Sequence, residues 1–176
     1  MHRTMSFVIA GIVIALTFPT AAVADPQNPW CATAPTRVEV DITTQSLYVY
    51  ENGKLIRSVI RGISTADTSR ARYHHGRKAM IVPQQPIGCF KTRAKSRRTF
   101  SAAYQVTMKN VVWFIVSKER GGLYGFHTVP AGKEKDLSRP ASGGCIRLPE
   151  KFSEWFYDWA QIEIPVYIHG KWRGGV

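Results

Sequence analysis

The sequence predicts a mainly β domain with one or two short helices, and three observations carry that expectation. Two β-rich runs flank Asn52-Gly53 in "SLYVYENGKLIRSVIR" (46–61), a hairpin signal because both turn positions tolerate positive φ. "RVEVDI" (37–42) alternates apolar and polar side chains as a half-buried strand does. "VVWFIVS" (111–117) is so continuously apolar that it reads as a central, buried strand.

Taken in order, the first 24 residues read as an export leader. Arg3 precedes an apolar run from Phe7 to Phe18, Pro19 breaks it, and Ala22-Val23-Ala24 offers a small-x-small cleavage site. The run falls short of the roughly 20 residues a spanning helix needs. Cleavage before Asp25 and no stable membrane insertion afterwards are therefore expected, the alternative being an uncleaved anchor that recruits Thr17 to Ala24. Residues 25–36 form a connector, 37–170 one domain and 171–176 a tail. Inside the domain, "GISTADTSRARYHHGRK" (62–78) lacks period and apolar content and reads as an exposed basic loop, long enough to invite a functional role. "AMIVP", "GCFKT" and "YQVTM" are further strand candidates, and "AKSRRT" (94–99) reads as a basic turn. After Pro149, Phe152, Trp155, Phe156 and Trp159 fall on one helical face, a packing stripe rather than a carbohydrate platform. "IEIPVYI" (162–168) closes the domain as a strand in which Pro165 argues for an edge or a bulge.

The formal net charge of +12 falls by only one when the leader goes, since that segment holds Arg3 and no acid. Such a charge usually points to nucleic acid, but export argues against that partner and for cell-wall polymers, phosphorylated lipids or carboxylate-rich peptides. Solubility alone is an equal reading. Cys31, Cys89 and Cys145 make an odd count. At most two can pair within the chain, the tidy arrangement being Cys31 with Cys89 and a free Cys145. The cysteines lack CxxC spacing and His74-His75 has no second ligand pair nearby, so neither a metal nor another cofactor is expected. His74 and His75 read as solvated loop residues. Arg70, Arg72, Arg77 and Lys78 are either contacts for acidic groups or solvated charge.

A nucleophilic cysteine needs a thiolate, hence a histidine or other positive influence beside it. His127, in "LYGFHTVP", follows a strand-like stretch and leads by a short loop to Cys145 in "PASGGCIRL". Gly143 and Gly144 permit a tight turn with unshielded N–H groups, suited to holding an oxyanion. The pattern fits an acyl-transfer dyad. Read from the residues alone, a buried inert cysteine and a structural histidine fit it as well.

From about Arg37 to Ile168 the sequence resembles the L,D-transpeptidase catalytic domain of the YkuD family. "VEVDITTQSLYVYENGKLIRSVIRGIS" is similar to the family's opening hairpin, "QQPIGCF" to its T-P-T-G-x-F stretch, and "YGFHTVP…SRPASGGCIRL" to its signature of His followed by Ser/Thr-His-Gly-Cys. The resemblance implies a β-sandwich-like fold and a cysteine acyltransferase acting on peptidoglycan stem peptides in the periplasm or cell envelope. It makes Cys145 the nucleophile, His127 the base and the Thr128 carbonyl its orienting group, with Gly144 and Cys145 supplying oxyanion N–H groups. Ser142 is the motif Ser/Thr, and Arg147 is either structural or carboxylate-binding. Tyr124 either lines the site or packs in its strand. Third-residue cross-linking, attachment of a wall-anchored protein and hydrolysis as an L,D-carboxypeptidase or linkage hydrolase are the outcomes this chemistry allows. Gly143 departs from the pattern, standing where the family usually has histidine. That departure raises the alternative of a noncatalytic wall-binding member.

Overall fold

A computed structural model describes residues 29–117 and 122–173. The expected leader lies outside the described residues, as do the start of the connector and residues 174–176 of the tail. In chain order the elements are the single turn α1 (Trp30–Thr33), β1 (Arg37–Asp41), β2 (Ser46–Glu51), β3 (Lys54–Val59), β4 (Arg72–His74), β5 (Ala79–Ile81), β6 (Gly88–Lys91), β7 (Ala94–Ser101), β8 (Val106–Ser117), β9 (Gly122–Thr128), β10 (Ile146–Leu148), α2 (Glu150–Trp159) and β11 (Pro165–His169). Among the described residues, no helix is long and apolar enough to cross a membrane.

Two sheets face each other. One runs β3-β2-β1-β11-β6 and the other β10-β9-β8-β7, while β4 and β5 make a separate two-stranded ribbon. Alternation sends Val38, Val40, Leu47, Val49, Val166 and Ile168 inward from the first sheet, and Val112, Phe114, Phe126, Ile146 and Leu148 join them from the second in one core. This is the mainly β architecture that the sequence pattern predicted, with the sandwich-like arrangement that the resemblance implied. Helix α2 packs against β8 and β9. Its Phe156 is fully buried with its ring centroid 5.0 Å from that of Phe126, and Phe126 lies 5.1 Å from Phe114. Trp155 and Trp159 pack half-buried beside them, so the aromatic stripe is packing surface.

The opening hairpin turns at Asn52 (φ 50°) and Gly53 (φ 78°), both left-handed, as its sequence requires. Cys31 and Cys89 are bonded, tying α1 to β6, and Cys145 is free.

Four local expectations change. The "basic turn" 94–99 lies within β7, paired along its length with β8. Its charged side chains sit on an outer face: Arg97, for example, pairs with Asp158 of α2. Tyr104 and Gln105 of "YQVTM" lie in a turn, while its Val106-Thr107-Met108 and "VVWFIVS" belong to one twelve-residue strand, β8, which continues through Asn110 at φ 52°. Pro165 lies neither at an edge nor in a bulge, because β11 is central, between β1 and β6. It is the first residue of the strand, where no inner ladder N–H is lost. The loop 62–78 is exposed only in part. Ile63 to Asp67 are buried, bridging to Ser142 and Arg147, and only the remainder carries the charge outward.

Candidate active site

Strands β9 and β10 run parallel, with Ile146 beside Phe126, Arg147 beside His127 and Leu148 beside Thr128. Ile146, Leu148 and Phe126 point into the core and fix the pair. The alternate side chains face a groove of about 1190 Å³. Tyr124, His127, Ser142, Gly143, Cys145 and Arg147 line it. The two remaining residues singled out in the sequence do not line it: Gly144 packs beneath the Tyr124 ring, and the buried Thr128 turns its hydroxyl toward α2, 2.6 Å from Ser153 Oγ.

His127 is 4% exposed. Its Nδ1 lies 2.7 Å from the Thr128 carbonyl. A carbonyl only accepts, so Nδ1 carries the proton and Nε2 is left as the acceptor nitrogen. Burial drives the imidazole pKa down to about 4, with the Arg147 charge adding to the fall and the Thr128 bond opposing it. Cys145 is half-buried at the mouth of β10. Desolvation pushes its thiol up to about 11 against a hydrogen bond from the Gly125 backbone. At neutral pH the resting pair is therefore thiol and neutral imidazole, with no standing ion pair.

The turn before Cys145 is held from three sides. The segment 63–67 runs along it: Ser142 N–H donates to the Thr65 carbonyl at 2.9 Å and Asp67 N–H to the Ser142 carbonyl at 3.1 Å. The Gly144 N–H donates to Ser142 Oγ at 3.1 Å, so this N–H, expected to face an oxyanion, is engaged within the turn. Gly144 sits at φ +136°, a conformation that side chains other than hydrogen rarely adopt. From the third side, the Tyr104 hydroxyl donates to the Gly143 carbonyl at 2.9 Å.

Arg147 reaches Asp136 at 3.3 Å and Asp136 also holds Arg139 at 2.5 Å, while the Arg147 Nε is buried with no partner. Arg72 and Arg77 of the basic segment line the groove; Arg70 and Arg72 both pair with Asp67, at 3.4 and 3.5 Å, and Lys78 is exposed. His74 is no solvated loop residue: it lines the groove, accepts the Arg77 N–H on Nδ1 at 3.1 Å and meets the Tyr104 ring edge-on at 5.5 Å. His75 is exposed. No cluster of three or more metal-ligating side chains occurs among the described residues. Sequence reading passed over Tyr104. It sits in "SAAYQV", a polar turn between β7 and β8 with no motif around it, and only the fold brings it to the cysteine turn.

The profile of the YkuD family, the L,D-transpeptidase catalytic domain, matches residues 35–168. No relative among functionally curated proteins matches the chain. Among solved structures, the chain is similar to an L,D-transpeptidase from Stackebrandtia nassauensis, with 24% identity over 82% of this chain and 60% of that one and a TM-score of 0.59. It is also similar to an L,D-transpeptidase from Xylanimonas cellulosilytica, with 20% identity, 87% and 65% coverage and a TM-score of 0.60. An L,D-transpeptidase from Mycobacterium smegmatis matches at 18% identity, 77% and 58% coverage and a TM-score of 0.58. The match spans less than two thirds of each of those chains.

Proposed function

Since the chain belongs to the L,D-transpeptidase catalytic domain family, we propose that it is an exported cysteine acyltransferase that acts on peptidoglycan tetrapeptide stems. The observation that carries this reading is the lone free thiol on the turn leading into β10 and a buried, tautomer-fixed imidazole on the adjacent β9, both lining one groove.

In this mechanism Cys145 Sγ attacks the carbonyl of the third stem residue and its proton passes to His127 Nε2. The C–N bond to the terminal D-Ala breaks, and that amine leaves with the proton from His127. An acceptor amine then attacks the thioester carbonyl, gives its proton to His127, and Cys145 recovers its own. The Cys145 N–H faces the oxyanion, while the Gly144 N–H keeps its bond to Ser142 and shapes the turn. A thiol held up near 11 and a base held down near 4 make proton transfer part of the attack rather than a preceding equilibrium. Guanidinium groups of Arg72, Arg77 and Arg147 around the groove suit the carboxylates of stem peptides.

The test is intact-protein mass spectrometry with a disaccharide-tetrapeptide, beside Cys145→Ala. A Cys145-dependent adduct with loss of D-Ala, followed by dimeric product, supports the reading; tripeptide alone makes it a carboxypeptidase. Wall binding without adduct or product makes it a noncatalytic member.

A further inference from the structure

Resting on that acyl-transfer reading, we infer that Tyr104 is a positioning residue for the nucleophile turn and occupies the space that a side chain at position 143 would fill. A Cβ built on Gly143 would lie 2.5 Å from both Cε2 and Cζ of Tyr104 and 3.0 Å from Cε1. Gly143 is not among the positive-φ glycines. Its backbone would accept an L side chain, and the obstruction is the phenol ring. Glycine at the motif histidine's position and tyrosine at 104 are therefore a matched pair: the ring comes in because the side chain is gone.

The phenol also makes a directed bond. Its hydroxyl donates to the Gly143 carbonyl at 2.9 Å, and the N–H of the same peptide unit, on Gly144, donates to Ser142 Oγ at 3.1 Å. One peptide plane is thus held at both ends, immediately before the nucleophile. Rotation of that plane would swing Cys145, so the bond sets where the thiol and its N–H point. Tyr104 is itself braced. His74 meets its ring edge-on, Gln105 Nε2 donates to the Ala102 carbonyl at 2.8 Å within its turn, and His75 N–H donates to the Ala103 carbonyl at 2.9 Å. Desolvation, then the nearby Tyr124 and Cys145, raise the phenol above its ordinary value, so it stays a donor through neutral pH. The ribbon β4–β5 and the β7–β8 turn, remote from the signature in sequence, thereby support the cysteine.

Three variants test this. Tyr104→Phe keeps the ring and removes the donor; it is expected to slow D-Ala release at saturating disaccharide-tetrapeptide about tenfold, with KM unchanged. Gly143→His, which restores the family's usual residue, is expected to slow it roughly a hundredfold by displacing the ring and twisting the turn. Tyr104→Ala/Gly143→His is expected to regain at least about tenfold over Gly143→His alone, because the imidazole then has room. The second readout needs no turnover: the rate of Cys145 alkylation by iodoacetamide across pH, which should change in Tyr104→Phe. If wild type forms no acyl adduct while that alkylation profile still changes, the acyl-transfer reading fails and Tyr104's positioning role stands. Wild-type turnover and alkylation in Tyr104→Phe would overturn the inference, as would wild-type activity of Gly143→His. A thermal melt identifies any variant that does not fold, and Tyr104→Phe, with no change in packing volume, then decides.

Discussion

The two halves of the site are anchored differently. His127 hangs from the core: it is buried, its Nδ1 is fixed by Thr128, and the Thr128 hydroxyl is tied to Ser153 on α2 and to Asn110 on β8. Cys145 hangs from the periphery, on a turn held by a phenol, a serine hydroxyl and the buried part of an otherwise exposed segment. A base that must keep one tautomer and one orientation benefits from a rigid, desolvated frame. A nucleophile that must reach an acyl carbonyl in an open groove has to sit where the chain meets solvent, and support for it comes from loops. Changes to the frame around the histidine should therefore cost stability before turnover, and changes to what holds the cysteine turn should cost turnover alone.

The largest expected separation is at His127. His127→Asn removes the imidazole proposed to take the thiol proton and should lower acylation by a factor of about 10²–10⁴, read as D-Ala release. The same residue carries a stability signature. Its pKa falls from the ordinary value of roughly 6.5 unfolded to about 4 folded, so the unfolded chain binds the extra proton first as pH drops. Stability that is intact above pH 6.5 is lost progressively down to about pH 4, by on the order of 3 kcal/mol in all. Urea titrations at pH 7 and pH 4 should show that loss in wild type and a smaller one in the variant. An equal acid loss in both would mean that His127 is not the group the core holds neutral.

Away from both halves, the Cys31–Cys89 bond closes a segment of sequence separation 58 between α1 and the edge strand β6. Cys31→Ser/Cys89→Ser should lower unfolding free energy by about 2–4 kcal/mol through the freed unfolded chain. The Cys145 alkylation rate should stay within about twofold of wild type, because α1 and β6 pack chiefly on β1, β8 and β11. A large fall in that rate would show that the periphery anchoring Cys145 extends to the N-terminal turn, and the comparison would have to be redrawn.

The same division explains what was legible in the sequence. Strands whose residues alternate against the core announce themselves: β1, the Asn52-Gly53 hairpin and the apolar half of β8 were all readable, as was the stripe of α2. The signature around His127 and Cys145 was readable because residues that share one turn or strand keep a fixed spacing. What supports the cysteine was not. Segment 63–67 looks like loop, since its five buried residues include the polar Ser64, Thr65 and Asp67, and its backbone pairs with Ser142 and Arg147, neighbours that periodicity cannot show. The charges of β7 hid a strand because one of its faces meets solvent and acidic partners. Tyr104 carried no signal: its role depends on a contact across 39 residues of chain.

The finest test concerns how firmly the histidine side is built. The Ser153 hydroxyl donates to the Glu150 carbonyl at 2.7 Å, so across the 2.6 Å contact it must accept from Thr128. Thr128 in turn accepts from Asn110 Nδ2 at 3.3 Å. The Thr128 and Ser153 hydroxyls are thereby both satisfied, and both residues are buried. Ser153→Ala would leave the Thr128 hydroxyl a buried donor without a partner and should cost about 1–2 kcal/mol in urea unfolding. Adding Thr128→Val should return most of that stability, since removing both partners of a buried hydrogen bond is far cheaper than orphaning one. In Ser153→Ala the Thr128 carbonyl still holds His127 Nδ1, so D-Ala release should change no more than about twofold, less than in Tyr104→Phe, where a single bond steers the nucleophile itself. A tenfold loss in Ser153→Ala would mean that the base depends on its hydroxyl chain as closely as the cysteine depends on its phenol, and the contrast between the two anchors would disappear.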